Sequence, residues 1–266
     1  VSAVDLINTS VNAQVKALKK RLQGNVASPK SYACPKCRDI GYIIENERAY
    51  PCACLQRRAF ADRLKASHLG SELEKSTFEN FELRYYPSDN HDRVTGRTLW
   101  ETANKAKTEA LKFAQNCLTD SHAKGLMLIG PVGSGKTHLS AAIANYLLER
   151  GHQALFLVVP DFLDEIRYSF DGKNSESELI DTARSARVLI LDDLGAHNYT
   201  AWTQNKLYTL LNYRLYNQLP TVINTNLELE ELETFLGERT LSRIYQLCRI
   251  YRLVVAKDIR RLKLKE

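Results

Sequence analysis

Leu126-Met-Leu-Ile-Gly-Pro-Val-Gly-Ser-Gly-Lys-Thr137 reads as a buried strand running into a loop of the form G-x-x-x-x-G-K-T. Gly130, Gly133 and Gly135 have no Cβ to keep the backbone from curling around an oligophosphate, so successive N–H groups can point inward at an anion. Beyond the loop, Leu139, Ala142, Ile143, Tyr146 and Leu147 follow helical spacing. The positive end of that helix then lies where phosphate would sit. We group Gly130, Pro131, Val132, Gly133, Ser134, Gly135, Lys136, Thr137 and His138 as nucleotide-binding. Lys136 would reach the β- and γ-phosphates, and the Thr137 hydroxyl would bind Mg²⁺.

A second acidic stretch completes this reading. Arg187-Val-Leu-Ile-Leu-Asp192-Asp193-Leu-Gly195 is an apolar strand that ends in two carboxylates. One acid there can hold Mg²⁺ through water and the next can orient or deprotonate an attacking water, so Asp192 is assigned to the metal and Asp193 to the water. Phosphoryl transfer also needs a polar contact and a cation at the γ-phosphate. Thr221-Val-Ile-Asn-Thr-Asn226 offers Thr225 and Asn226, and Glu238-Arg-Thr-Leu-Ser-Arg243 offers the cation. A guanidinium on the far side of its own domain cannot reach its own nucleotide, so Arg243 would serve a neighbour's site and make self-association part of the mechanism. A strand cap and an exposed helix arginine are the plainer readings of these two. Phe78 and Phe81, three apart just before this region, either wall an adenine ring, a role assigned to Phe78, or belong to the core.

Around these motifs the pattern alternates. The apolar spacing predicts strands over 126–130, 154–159, 187–192, 221–225 and 252–256, and helices over 99–118, 136–149, 161–168, 202–217, 229–236 and 239–247. Unalternating apolar strands separated by helices imply a mainly parallel five-stranded sheet covered on both faces, with the phosphate loop at the carboxyl ends of the strands.

At 266 residues and 44% hydrophobic content the chain can bury one α/β core and carry a smaller appendage. The expected division is 1–73 and 74–266. A net charge of +6 permits nucleic-acid contact without requiring it. No apolar run approaches the roughly 18 residues of a membrane span, and no leader pattern opens the chain, so a soluble, cytoplasmic protein is expected. The first residue is Val, which leaves room for a preceding segment in a longer natural chain. Val4, Ile7, Val11, Val15, Leu18 and Leu22 form the stripe of an amphipathic helix, and Leu55 to about Leu73 reads as a helix with a basic start. Six cysteines beside a nucleotide loop argue for metal ligands or core residues rather than disulfides. Cys34, Cys37, Cys52 and Cys54 cluster in a small α+β module, where four thiolates satisfy Zn²⁺ at a closed structural site. His68 is an alternative fourth ligand, and Cys117 and Cys248 are packing residues.

Four motifs, in this order, resemble the AAA+ ATPases of the DnaC/DnaI type, the bacterial replicative helicase loaders: Gly-Pro-Val-Gly-Ser-Gly-Lys-Thr137, Asp192-Asp-Leu-Gly195, Leu219-Pro-Thr-Val-Ile-Asn-Thr-Asn-Leu227 and Glu238-Arg-Thr-Leu-Ser-Arg-Ile244. The resemblance covers about 76 to 261, and the cysteine module is similar to the zinc-binding N-terminal part of the Gram-positive members. It implies an AAA+ domain that hydrolyses ATP with Mg²⁺, an N-terminal domain gripping a hexameric replicative helicase, single-stranded DNA as a second partner, and assembly side by side in a ring or spiral. It matches Arg243 to the arginine finger, Asn226 to sensor 1 and Arg260 to sensor 2, with little or no C-terminal lid. Asp193 stands where most AAA+ proteins carry Glu, which suggests slow hydrolysis, and Asn224 leaves the sensor open by two positions. In the family the segment after the second strand faces the pore; here Arg167, Tyr168, Phe170 and Lys173 mix charge with rings that could stack bases, although Phe162, Ile166 and Phe170 also have core spacing. The competing readings are a transposition helper ATPase of the IstB type and a non-catalytic, ATP-switched adaptor.

Overall fold

The computed structural model describes residues 34, 36–38, 40–45, 48–52, 54, 67–168, 176–196 and 199–264. The amphipathic helix expected over 4–22, most of the helix from Leu55, and Phe170 and Lys173 lie outside them. Contacts divide the chain into two compact units, 1–57 and 58–266.

In the smaller unit, strands β1 (Tyr42–Glu45) and β2 (Arg48–Pro51) pair antiparallel with Tyr42 opposite Pro51. A knuckle precedes them. The chain reverses through left-handed backbone at Arg38 and Gly41, which lets Gly41 N–H donate to Cys37 Sγ at 3.3 Å. Cys52 N–H donates to the Gly41 carbonyl at 2.8 Å, so the second cysteine pair comes back beside the first.

The larger unit is built on a parallel sheet in the order β4-β5-β6-β3-β7, with β3 (Gly125–Ile129), β4 (Leu155–Val158), β5 (Leu189–Leu194), β6 (Thr221–Thr225) and β7 (Cys248–Arg252). Helices α1 (Leu99–Thr119), α2 (Lys136–Glu149), α3 (Val159–Tyr168), α4 (Glu176–Ser185), α5 (Ala201–Tyr216), α6 (Leu229–Leu236), α7 (Glu238–Leu247) and α8 (Ile259–Lys263) accompany it. This is the AAA+ fold, with a parallel five-stranded sheet between helices.

Side chains alternate across a strand, so β3 feeds two cores at once. Leu126 and Leu128 join α1 and α2 on one face, while Met127 and Ile129 join α3, α5, α6 and α7 on the other. The first layer is seamed by alanines: Ala103, Ala106, Ala110 and Ala114 of α1, with Ala141, Ala142 and Ala144 of α2, are all fully buried. Small side chains let the two helices lie close and leave α2 buried on nearly every side. Its position is therefore fixed by packing. A Thr98–Glu101 capping box starts α1, and Thr200 caps α5. Arg214 of α5, fully buried, donates to the carbonyls of Ala183, Arg184, Ala186 and Pro220 and to Thr221 Oγ1, tying the ends of α4 and α5 to the start of β6.

Two elements differ from expectation. The last strand lies at Cys248–Arg252 rather than 252–256, because it is an edge strand in which only Cys248 is buried, so no apolar run marks it. Helix α4 was not anticipated; within it, Ile180 and Ala183 are the described residues that are buried, too few to give a visible stripe.

Candidate nucleotide and metal sites

Where β3, β5 and β6 end, a cleft of about 610 Å³ opens, within the few hundred to thousand Å³ typical of ligand sites. Val132, Gly133, Ser134, Gly135, Lys136, Thr137 and His138 form one wall, and Asp192, Asp193, Asn226 and Arg260 face them. Gly133 and Gly135 take positive φ values of 73° and 88°, which the loop's curl requires and only glycine adopts without strain. A Cβ on Gly133 would land on the Asp258 carboxylate. Asp258 caps α8 and draws Ile259 against the loop, where Ile259 N–H donates to the Gly133 carbonyl at 3.1 Å.

Lys136 is only 5% exposed. Its ammonium donates to the Gly130 and Pro131 carbonyls at 2.7 and 2.9 Å and to Asn226 Oδ1 at 2.7 Å. Burial pulls its pKa from 10.5 to about 8, against the opposing pull of Asp193 and Asp192. Thr137 Oγ1 lies 3.2 and 3.0 Å from the two Asp192 oxygens. These hard oxygen donors, side by side, suit Mg²⁺.

Both acids reach the site because β5 carries one residue more than β6 across Asp192–Asp193: Leu191 pairs with Ile223, then Leu194 with Thr225. In a regular strand successive side chains would point to opposite faces, and such a bulge re-aims one of them. Asp193 sits at the bulge with φ 55°, and Asn226 Nδ2 donates to its Oδ1 at 3.3 Å. Asp192 is buried, and burial pushes its pKa up while the Asn224 and Thr137 hydrogen bonds and the Lys136 charge oppose that. The two asparagines of this strand end have different partners. Asn226 touches Lys136 and Asp193, whereas Asn224, fully buried, donates to Asp192 Oδ1 at 2.5 Å and accepts from Ser140 at 2.8 Å.

Phe78, assigned to the nucleotide from sequence, turns into the core instead, edge-on to Tyr146 with ring centroids 6.0 Å apart. The ring at the cleft is Phe81, with Tyr85 and Tyr86. His138 donates through Nε2 to the Thr77 carbonyl at 3.0 Å, and burial lowers its pKa. Arg243 is not part of this cleft; it lies on α7 with its guanidinium 6.0 Å from the centre of the Tyr208 ring. Arg167 lies in the last turn of α3 in an exposed pair with Asp164, 3.8 Å apart. Tyr168 is that helix's last residue, and Phe162 and Ile166 are buried in the core as their spacing also allowed.

In the smaller unit the sulfurs of Cys34, Cys37, Cys52 and Cys54 all lie within 4.8 Å of one another and all four residues are buried. Cys34 and Cys52 sulfurs are 3.8 Å apart, Cys37 and Cys54 sulfurs 3.2 Å. A tetrahedron with Zn–S bonds of about 2.3 Å has edges near 3.8 Å. The cluster therefore fits zinc. Against burial, the Cys54 thiol and Gly41 N–H pull the Cys37 pKa down to about 6. His68 is exposed, and the cluster consists of the four cysteines alone among the described residues. No helix among the described residues is long and apolar enough to cross a membrane.

Residues 37–252 match the family model of the IstB-like ATP-binding proteins. The replicative helicase loader DnaI of Bacillus subtilis (strain 168) is 38% identical over 111 residues, 41% of this chain and 35% of that protein. The protein YqaM of the same organism, whose function is uncharacterised, is 30% identical over 213 residues, 78% of this chain and 63% of YqaM. The matches thus span less than two thirds of these relatives' lengths. The crystal structure of DnaI is similar with a TM-score of 0.58 at 27% identity, covering 70% of this chain and 95% of that one.

Proposed function

This chain belongs to the IstB-like ATP-binding protein family, and from that premise we propose that it is an ATP-switched loader that places a hexameric replicative helicase on single-stranded DNA. The observation that carries the reading is the convergence of Lys136, Thr137, Asp192, Asp193 and Asn226 in one cleft, in a chain related to a replicative helicase loader. Lys136 exchanges its carbonyl partners for the β- and γ-phosphates. Mg²⁺, held by Thr137 and Asp192, supplies charge neutralisation when bound. Asp193 accepts a proton from the attacking water, and Asn226, already between Lys136 and Asp193, orients it. Arg260 adds a cation at the cleft, and Arg243 serves a neighbouring copy in a ring or spiral. The four cysteines hold zinc, and the unit they build grips the helicase. Arg167 and the segment after it contact the single strand.

Pull-down from cell lysate with and without ATP tests this. The expected result is ATP-dependent capture of a replicative helicase, lost when a chelator strips the cysteine site while ATP binding persists. Arg167→Ala is expected to reduce co-captured single-stranded DNA and leave the helicase in place. The family match supports a second reading, a transposition helper. Capture of a transposase with duplex DNA and no helicase would replace the first reading with that one.

A further inference from the structure

The stretch that leads into α1 is bolted to the phosphate loop and its helix. Asn145 of α2 donates to the Leu73 and Ser76 carbonyls at 2.9 and 2.8 Å. The bolt on the loop itself is Tyr86, whose hydroxyl donates to the Ser134 carbonyl at 2.6 Å. Tyr86 is 2% exposed, and its ring stacks on Phe81 with centroids 5.6 Å apart and planes 28° from parallel. Both side chains press on Gly135, where an added Cβ would lie 2.9 Å from Phe81 Cε2 and from the Tyr86 oxygen. Burial pushes the phenol's pKa far above its ordinary range, so the group remains a donor.

A trans peptide points its carbonyl and its N–H in opposite directions. The Ser134 carbonyl and the Gly135 N–H belong to one such peptide, so the phenol that holds the carbonyl also fixes the direction of the amide. We infer that Tyr86 is a positioning residue for the nucleotide: its hydroxyl fixes the Ser134–Gly135 peptide in the orientation that presents an N–H to the phosphates. This rests on the ATP reading above. No motif marks Tyr86, because its partner lies 48 residues away.

The test is competition against a fluorescent ATP analogue on the full chain, wild type and Tyr86→Phe, with ATP and AMP as competitors. Phenylalanine keeps the stacked ring and removes only the donor. Loss of one such bond is expected to weaken ATP about tenfold, while AMP, without the β- and γ-phosphates, changes by less than about twofold. The nucleotide-free thermal midpoint should stay within about 4 °C. Unchanged ATP affinity, an equal loss for ATP and AMP, or a larger fall in midpoint with no ATP-specific loss overturns the inference. A wild-type chain that binds no ATP overturns the underlying reading, and the inference with it.

Discussion

Lys136 carries a cost in the empty site that its ligand removes. Buried among carbonyls, its pKa is about 8 instead of 10.5, whereas the phosphates of ATP would restore the charged form. Above pH 8 binding must therefore take up a proton. ATP affinity should be fully present below about pH 8 and fall by up to about tenfold per pH unit as pH rises toward 10.5. The nucleotide-free chain should show the opposite slope: the unfolded state holds more protons between those two values, so stability rises with pH there. Calorimetric titration in buffers of different ionisation heat checks the first, and denaturant midpoints the second; a pH-independent affinity from 7 to about 10 would dismiss the charge coupling. At this scale the sequence was most legible where spacing itself makes the chemistry. The glycines, Lys136 and Thr137 sit in one loop and had to act together. Asn224 stood in the sensor strand, but its partners Asp192 and Ser140, like the loop carbonyl that Tyr86 holds, are brought up only by the sheet and the packing of α2, so nothing local marked those contacts. The choice between Phe78 and Phe81 depended on which ring turned toward the phosphate loop, and a segment without regular periodicity does not encode that.

Elements were predictable in proportion to how one-sided or how buried they are. Strand β3 and helix α2 stood out because one is a continuous apolar run and the other carries apolar residues at helical spacing. Strand β7 was misplaced because only Cys248 of it is buried, and α4 was missed because only Ile180 and Ala183 among its described residues enter the core. The contact between β7 and the loop makes a testable point. A methyl at Gly130 would land on the Leu253 carbonyl, and that backbone is held in turn by Leu253 N–H donating to the Ile129 carbonyl at 2.8 Å. Gly130→Ala is accordingly expected to cost roughly 1–3 kcal/mol, read in calorimetry as a fall of about 2–4 °C per kcal/mol. An unchanged midpoint would mean that β3 and β7 can part without penalty.

At the scale of the whole molecule, the division of labour follows from what each unit can bury. The module around the cysteines packs little beyond the sulfurs themselves and Ile43 among the described residues, so a metal is its natural core. The larger unit has two apolar layers and needs none. Arg243 offers a test of assembly: its Nε is buried with no hydrogen-bond partner among the described residues, on a helix outside the cleft. Chains carrying Lys136→Ala and chains carrying Arg243→Ala should each be inactive as ATPases and regain turnover when mixed; a mixture that stays inactive would remove the neighbour's role. One further consequence reaches from architecture to reaction. Left-handed backbone at position 193 is several-fold more hospitable to Asp or Asn than to longer side chains. The short acid found there suits the bulge, so a graft of the longer Glu would strain the strand end between Asp192 and Leu194 as well as lengthen the acid that lines the cleft.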